Sequence, residues 1–150
     1  MGDRADNIAR AIAAMGAHGV RVTRQSSLYE TEPVDAPPQG WFVNCVVEAE
    51  TELMPRQLMA ALLEIERELG RKRRVAKGPR VIDIDILLFG SSAVSTPDVE
   101  IPHPRMAERR FVLVPFAEIA PEVEHPVLQK TIAEMLAVTR DPSEVRRISP

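Results

Sequence analysis

Ile8, Ile12 and Met15 fall on one helical stripe with Ala11 between them, which predicts a first helix from Asp6 to Met15. Asp3 or Asp6 is positioned to cap it, and Gly16 or Gly19 to end it. Val20 and Val22 then alternate with polar residues, and β-favouring positions continue patchily to Leu28 and Tyr29, which reads as a strand. Phe42 to Glu50 alternates cleanly and predicts one continuous strand, with Val43, Cys45 and Val47 on one face and Phe42, Asn44 and Val46 on the other. Leu58, Leu62, Ile65 and Leu69 return to helical spacing, widened by Met59 and Leu63; that helix starts at Pro55 and stops at Gly70. Val81 to Phe89, between Pro79 and Gly90, predicts a further strand. Pro97 to Pro104 reads as irregular, Arg105 to Ala120 as a helix interrupted near Pro115, Thr131 to Val138 as a short last helix, and the residues after Asp141 as a polar, frayed tail.

The order helix, strand, strand, helix, strand, then C-terminal helical additions resembles a ferredoxin-like β-α-β-β-α-β plan without its usual first strand. The expected class is α+β, an α-β sandwich on a mainly antiparallel sheet. A length of 150 residues, 45% hydrophobic and 27% charged, suits a single domain over 1–150. One cysteine permits neither an internal disulfide nor a Cys/His zinc cluster, which points to a reducing, cytoplasmic setting. No apolar run approaches the roughly 18 residues of a bilayer span, and Met1-Gly2-Asp3-Arg4 lacks the apolar stretch of a signal peptide. Pro33, Pro37 and Pro38, with Asp35 and Gly40, make 32–40 a stiff ordered loop.

Charge changes the picture more than composition does. The net charge of −3 argues against a general nucleic-acid coat, yet Arg71, Lys72, Arg73, Arg74, Lys77 and Arg80 crowd one segment that holds no acid. Such a segment suggests a local anion site, a polyphosphate for example. Neither a P-loop nor a Gly-rich dinucleotide fingerprint is present, so bound phosphate would be held by side chains and metal. In Val81-Ile82-Asp83-Ile84-Asp85-Ile86 a period of two sends both carboxylates to one face. Their Cα atoms would lie about 6–7 Å apart, within reach of a shared hard cation such as magnesium.

His103 is held between Pro102 and Pro104, and Glu66 sits at the edge of an apolar stripe, where it can point toward a site. Trp41, Phe42, Asn44 and Phe111 can frame a flat heterocycle. Each feature has a plainer explanation: a half-exposed strand, a solvated basic face or nucleic-acid patch, a surface histidine, an edge glutamate, aromatics packed in the core. His18 and His125 have no partner visible in the sequence, and Cys45 reads as a buried small hydrophobe.

Taken together, Gly78-Pro79-Arg80-Val81-Ile82-Asp83-Ile84-Asp85-Ile86-Leu87-Leu88-Phe89-Gly90 and Ile101-Pro102-His103-Pro104-Arg105-Met106-Ala107-Glu108-Arg109-Arg110-Phe111-Val112-Leu113 resemble the two signature segments of the 6-hydroxymethyl-7,8-dihydropterin pyrophosphokinase family. Tyr29-Glu30-Thr31-Glu32-Pro33, Phe42-Val43-Asn44 and Ile119-Ala120-Pro121-Glu122 fit the same family in order and spacing. The resemblance implies a folate-pathway enzyme that moves the pyrophosphoryl group of ATP, with two magnesium ions, onto the hydroxymethyl oxygen of the pterin and releases AMP. It implies that Asp83 and Asp85 hold metal, and that Glu66, Arg71, Arg73, Arg80, His103 and Arg109 bind ATP, Arg71 and Arg80 also serving catalysis. Thr31, Val34, Phe42, Asn44 and Phe111 fall where pterin contacts lie, and a monomer with neither nucleic-acid nor membrane partners is expected.

The chain departs from the family pattern in three places. It opens at Gly2-Asp3-Arg4, without the strand and Leu-Gly-Ser-Asn-type turn that usually come before, and it carries Lys77 where some members have tryptophan and Pro104 where some have tyrosine. Two alternatives to the enzyme stand beside it. One is a non-catalytic ferredoxin-like module that binds RNA or an acidic partner through Arg71 to Arg80; the other is an inactive, N-terminally truncated form.

Overall fold

The computed structural model describes residues 2–32, 41–73 and 82–148, and of 2–3 and 71–73 the backbone alone. It is a mixed α and β structure with antiparallel ladders. Helix α1 (Gly2–Met15) passes through a 3-10 turn (Gly16–His18) into β1 (Val20–Gln25). Gly19 makes the corner at φ +84°, a left-handed conformation that glycine adopts without the clash of a Cβ. The helix starts at Gly2, so Asp3 and Asp6 lie inside it rather than at its cap.

β1 pairs antiparallel with β4 (Val47–Thr51), Val20 opposite Thr51 and Gln25 opposite Val47. β2 (Tyr29–Thr31) pairs on one side with β3 (Phe42–Asn44) and on the other with β7 (Val145–Arg147). The expected single strand over Phe42 to Glu50 is therefore two strands with different partners. Ser26 forces the division: its N–H donates to the Val46 carbonyl at 2.9 Å, and its hydroxyl accepts from the Val46 N–H at 3.0 Å. The frayed tail is likewise corrected. Asp141 accepts the Ser143 N–H, and the Ile148 N–H donates to the Leu28 carbonyl, so 145–147 is held as the third strand of the sheet.

α2 (Pro55–Arg73) begins at Pro55 as predicted but runs through Gly70 instead of stopping there. A helical glycine costs about 1 kcal/mol, less than the burial of Leu62, Ile65 and Leu69 below it supplies. Residues 97–104 are not wholly irregular, since β6 (Glu100–Ile101) pairs with β5 (Val94–Ser95). The helix over 105–120 divides at Arg109 and not at Pro115. A 3-10 turn (Met106–Glu108) precedes Arg109, whose extended backbone opens α3 (Arg110–Ile119), and Pro115 is buried within α3. α4 (Ile132–Val138) matches its prediction and begins in a capping box, Thr131 accepting the Glu134 N–H while Glu134 accepts the Thr131 N–H.

Among the described residues 82–89 form no ladder, contrary to the predicted strand, and Val81 lies outside them. A strand is defined by a lateral neighbour, and the backbone bonds described for this segment run elsewhere: Ile84 N–H to Glu66, His103 N–H to the Leu87 carbonyl, Ser92 N–H to the Phe89 carbonyl. Its alternation survives. Ile82 and Ile84 are half-buried and Ile86 is buried, while Asp83 and Asp85 are exposed.

The segment runs between two cores. Ile82, Ile84 and Ile86 join α1, α2, β1 and β4 around Met15, Leu62 and Ile65. Leu87 and Leu88 join α3 and α4 around Met106, Leu113 and Ile132. No helix among the described residues is long and apolar enough to cross a membrane.

Glu118 on α3 ties the second core to β2. Its carboxylate accepts the Ser27 N–H at 2.9 Å, the Ser27 hydroxyl at 2.8 Å and the Tyr29 hydroxyl at 2.8 Å. Partial desolvation pushes the carboxyl up, but these donors and the Arg147 charge outweigh it and hold Glu118 below the usual glutamate range. A depressed folded-state value means that the stabilisation is complete above the unfolded value, about 4.3, and is lost as pH falls through the folded value. Thermal melts of the parent and Glu118→Gln should therefore differ most at neutral pH and converge on acidification; a gap independent of pH would contradict this linkage.

Candidate active site

The acidic segment owes its geometry to Glu66. α2 presents this side chain from the rim of its apolar stripe, and its carboxylate accepts the Ile84 N–H at 2.7 Å. The bond grips the residue between Asp83 and Asp85, so that the isoleucines enter the core and both acids face outward. The side chain of Asp85 is 59% exposed and its Oδ2 lies 4.0 Å from Nε2 of His103. His103 is oriented by its own backbone, since its N–H donates to the Leu87 carbonyl at 2.9 Å and its Nδ1 accepts the Arg105 N–H at 3.2 Å. With Nδ1 occupied as acceptor, Nε2 is the nitrogen that carries a proton toward Asp85 or an incoming anion.

Among the described residues no three His, Cys, Asp or Glu side chains gather as a preformed metal cage. Two neighbouring, outward carboxylates do suit magnesium, which takes few protein ligands and completes its octahedron from water and phosphate oxygens. The donor set fits that ion and no soft metal.

A second group of residues lies on the β2–β3 hairpin. Thr31 stands opposite Phe42, and Tyr29 opposite Asn44, so directly paired Thr31 and Phe42 share a sheet face, as do Asn44 and Tyr29 two residues away. Phe42 is 45% exposed, while Thr31 is 3% exposed and its hydroxyl has no hydrogen-bond partner among the described residues. A buried hydroxyl without a partner costs stability, and it is a ready donor or acceptor for a polar heterocycle. Phe111 stands one residue inside the start of α3, half-buried against the second core, with the Arg109 guanidinium 5.4 Å from its ring centre.

Arg80 and Val34 lie outside the described residues, as do the side chains of Arg71 and Arg73 and the 33–40 loop. Sequence reasoning missed the Glu118 network and the strand that closes the hairpin from 145–147. A buried tyrosine needs a partner for its hydroxyl, and Tyr29 is the signal that would have led to Glu118. His125 does have partners: its Nδ1 accepts the N–H groups of Val127 and Leu128, and burial lowers its pKa. His18 pairs with Glu68 at 3.3 Å, at the far end of α1. Cys45 is half-buried rather than buried, and desolvation pushes its thiol up to about 11, which keeps it protonated and unreactive.

Known proteins resemble this chain over most of its length. Residues 1–121 match the family model described as 7,8-dihydro-6-hydroxymethylpterin-pyrophosphokinase (HPPK). A Bacillus subtilis protein named 2-amino-4-hydroxy-6-hydroxymethyldihydropteridine pyrophosphokinase is 47% identical over 125 residues, 83% of this chain and 75% of that protein. A protein of the same name from Methylorubrum extorquens is 42% identical over 149 residues, 99% of this chain and 92% of that one. The folic acid synthesis protein fol1 of Pneumocystis carinii is 41% identical over 133 residues, 89% of this chain but only 18% of that longer protein. Nothing in these likenesses supports a non-catalytic binding module. With a family model that spans both signature segments and the hairpin between α1 and α2, the chain belongs to the 7,8-dihydro-6-hydroxymethylpterin-pyrophosphokinase family.

Proposed function

We propose that this chain transfers the pyrophosphoryl group of ATP to the hydroxymethyl oxygen of 6-hydroxymethyl-7,8-dihydropterin, releasing AMP, as a monomeric cytoplasmic enzyme with neither nucleic-acid nor membrane partners. The observation that carries the reading is the acidic segment: two exposed carboxylates in alternation, gripped from α2 by Glu66 and flanked by His103, in a chain of this family. Asp83 and Asp85 would hold two magnesium ions. Magnesium bound there supplies charge neutralisation across the phosphate oxygens. His103 and Arg109 would contact the nucleotide, with Arg71, Arg73 and Arg80 closing on the triphosphate, and Glu66 acting on the same site through the backbone of Ile84.

Thr31, Val34, Phe42, Asn44 and Phe111 would take the pterin. The two phenylalanines would stack on the ring, and the hydroxyl and amide would read its polar edge. The pterin hydroxyl attacks the β-phosphorus in line; the new O–P bond forms as the bond from that phosphorus to the α-phosphate oxygen breaks, AMP departs and the hydroxyl proton is released to water. Guanidinium groups of Arg71 and Arg80 would absorb the developing charge, so that positioning, rather than a strong base, carries the rate.

We also infer one domain over 1–150 with a ferredoxin-like α-β sandwich. Support comes from the antiparallel β1–β4 pair, which shares one core with α1, α2 and Ile82, Ile84 and Ile86.

Assays of AMP release from ATP, pterin and magnesium should show pterin-dependent product that Asp83→Asn and Asp85→Asn each reduce by at least about a hundredfold, the scale of losing one preorganised charge-stabilising group. Product formation unaffected by either change would refute the metal assignment. Thr31→Val, which removes the unpartnered hydroxyl at nearly constant volume, should raise stability by about 1 kcal/mol while weakening pterin binding. Loss of stability together with unchanged pterin affinity would mean that the hydroxyl serves the fold instead.

A further inference from the structure

The hairpin that carries Thr31, Phe42 and Asn44 is very short. β2 and β3 pair over three residues, Tyr29 with Asn44, Glu30 with Val43, and Thr31 with Phe42. A ladder of that length specifies its register weakly, and a slip by one residue would turn Phe42 and Asn44 to the opposite face. Something beyond the backbone has to fix it.

The opposite face carries that device. Glu30, Val43 and Arg146 lie directly across from one another on β2, β3 and β7, and Trp41, two residues before Val43, projects to the same side. The Arg146 guanidinium lies 4.0 Å from the centre of the Trp41 ring and 2.8 Å from Oε1 of Glu30. One cation from the outer strand thus spans all three strands of the sheet, stacked on the residue that leads into β3 and paired with the middle residue of β2. Each partner fixes the other: the ion pair orients the fork, and the fork lies flat on the indole. β7 is itself anchored at both ends, by Ile148 N–H to the Leu28 carbonyl at 2.9 Å and Glu144 N–H to Oε1 of Glu32 at 3.1 Å. Arg4 of α1 also donates to the Trp41 carbonyl, so both the ring and the backbone of Trp41 are held.

We propose that Arg146 is a positioning residue for the pterin, acting through Trp41 and Glu30 to hold β3 in the register that presents Phe42 and Asn44 to the ligand. The inference rests on the pterin assignment made above. It predicts an effect on one substrate only, because the Asp83–Asp85 segment and His103 belong to other parts of the chain.

Calorimetric titration of the full chain with 6-hydroxymethyl-7,8-dihydropterin, in the presence of magnesium and a non-hydrolysable ATP analogue, tests it. Arg146→Met keeps the apolar stem and should raise the pterin Kd about two- to fivefold, the worth of an exposed cation–π contact, leaving the Kd of the analogue unchanged. Trp41 is the sole tryptophan, so its emission should shift in Arg146→Met, and Arg146→Lys should recover only part of the affinity. An unchanged pterin Kd, or pterin and nucleotide weakening together, would overturn the proposal. Should Arg146→Met fail to fold, Glu30→Gln leaves the stack in place and is decided by the same comparison of the two Kd values. Asn44→Ala separates the two levels of inference. If it leaves pterin binding intact, the pterin assignment itself fails; if it weakens binding while Arg146→Met does not, only the role of Arg146 falls.

Discussion

A backbone N–H held by a carboxylate organises the acidic half of the molecule. Glu66 reaches from α2 to Ile84, and the period of two then leaves the neighbouring residues no choice: Ile82, Ile84 and Ile86 go inward, Asp83 and Asp85 outward. Were that grip lost, the segment would have few described backbone bonds to hold its facing, because it belongs to no ladder among the described residues. The same segment leaves its first core at Ile86 and enters the second at Leu87 and Leu88, then accepts the His103 N–H. The carboxylates and the histidine are therefore fixed by packing on either side and by two hydrogen bonds, and neither needs a loop to come to rest before it is in place.

The hairpin is organised by a different logic. Its three-residue ladders contribute little alone, and its side chains are held from outside: Glu118 through Ser27 and Tyr29, Arg146 through Glu30 and Trp41, Arg4 through Trp41. One half of the molecule relies on burial of branched aliphatic residues, the other on charged and polar groups at the rim of a small sheet. The first should resist salt and the second should feel it.

What the sequence made legible follows the reach of its periodicities. The stripe of Leu58, Leu62, Ile65 and Leu69 and the Thr131 cap specify α2 and α4 through contacts within a few residues; α4 appears where expected, and α2 starts where expected but runs on past Gly70. The alternation of Asp83 and Asp85 with isoleucine specifies facing, which the structure keeps, but not pairing, which depends on a lateral neighbour that periodicity cannot supply. The division of Phe42 to Glu50 turns on Ser26, twenty residues away from Val46, and β7 on a partner farther still; no local pattern encodes either. Of the candidate residues, Glu66 was legible because it sits on a stripe edge. Arg146 was not, because a lone arginine in a polar tail looks like any other until its strand is placed beside β2.

That placement bears on how the chain acquires its fold. β1 and β4 close over the 21 residues between Gln25 and Val47, and α3 packs on α4 close by in sequence, whereas β2 waits for a strand more than a hundred residues downstream. Such a long closure contributes late to the folding reaction. Both hydrophobic cores draw on residues before β7, so neither depends on the pairing that closes the edge of β2. The sheet that carries Thr31, Phe42 and Asn44 therefore depends on a closure of more than a hundred residues, whereas the segment proposed to hold metal is gripped from a helix 18 residues upstream.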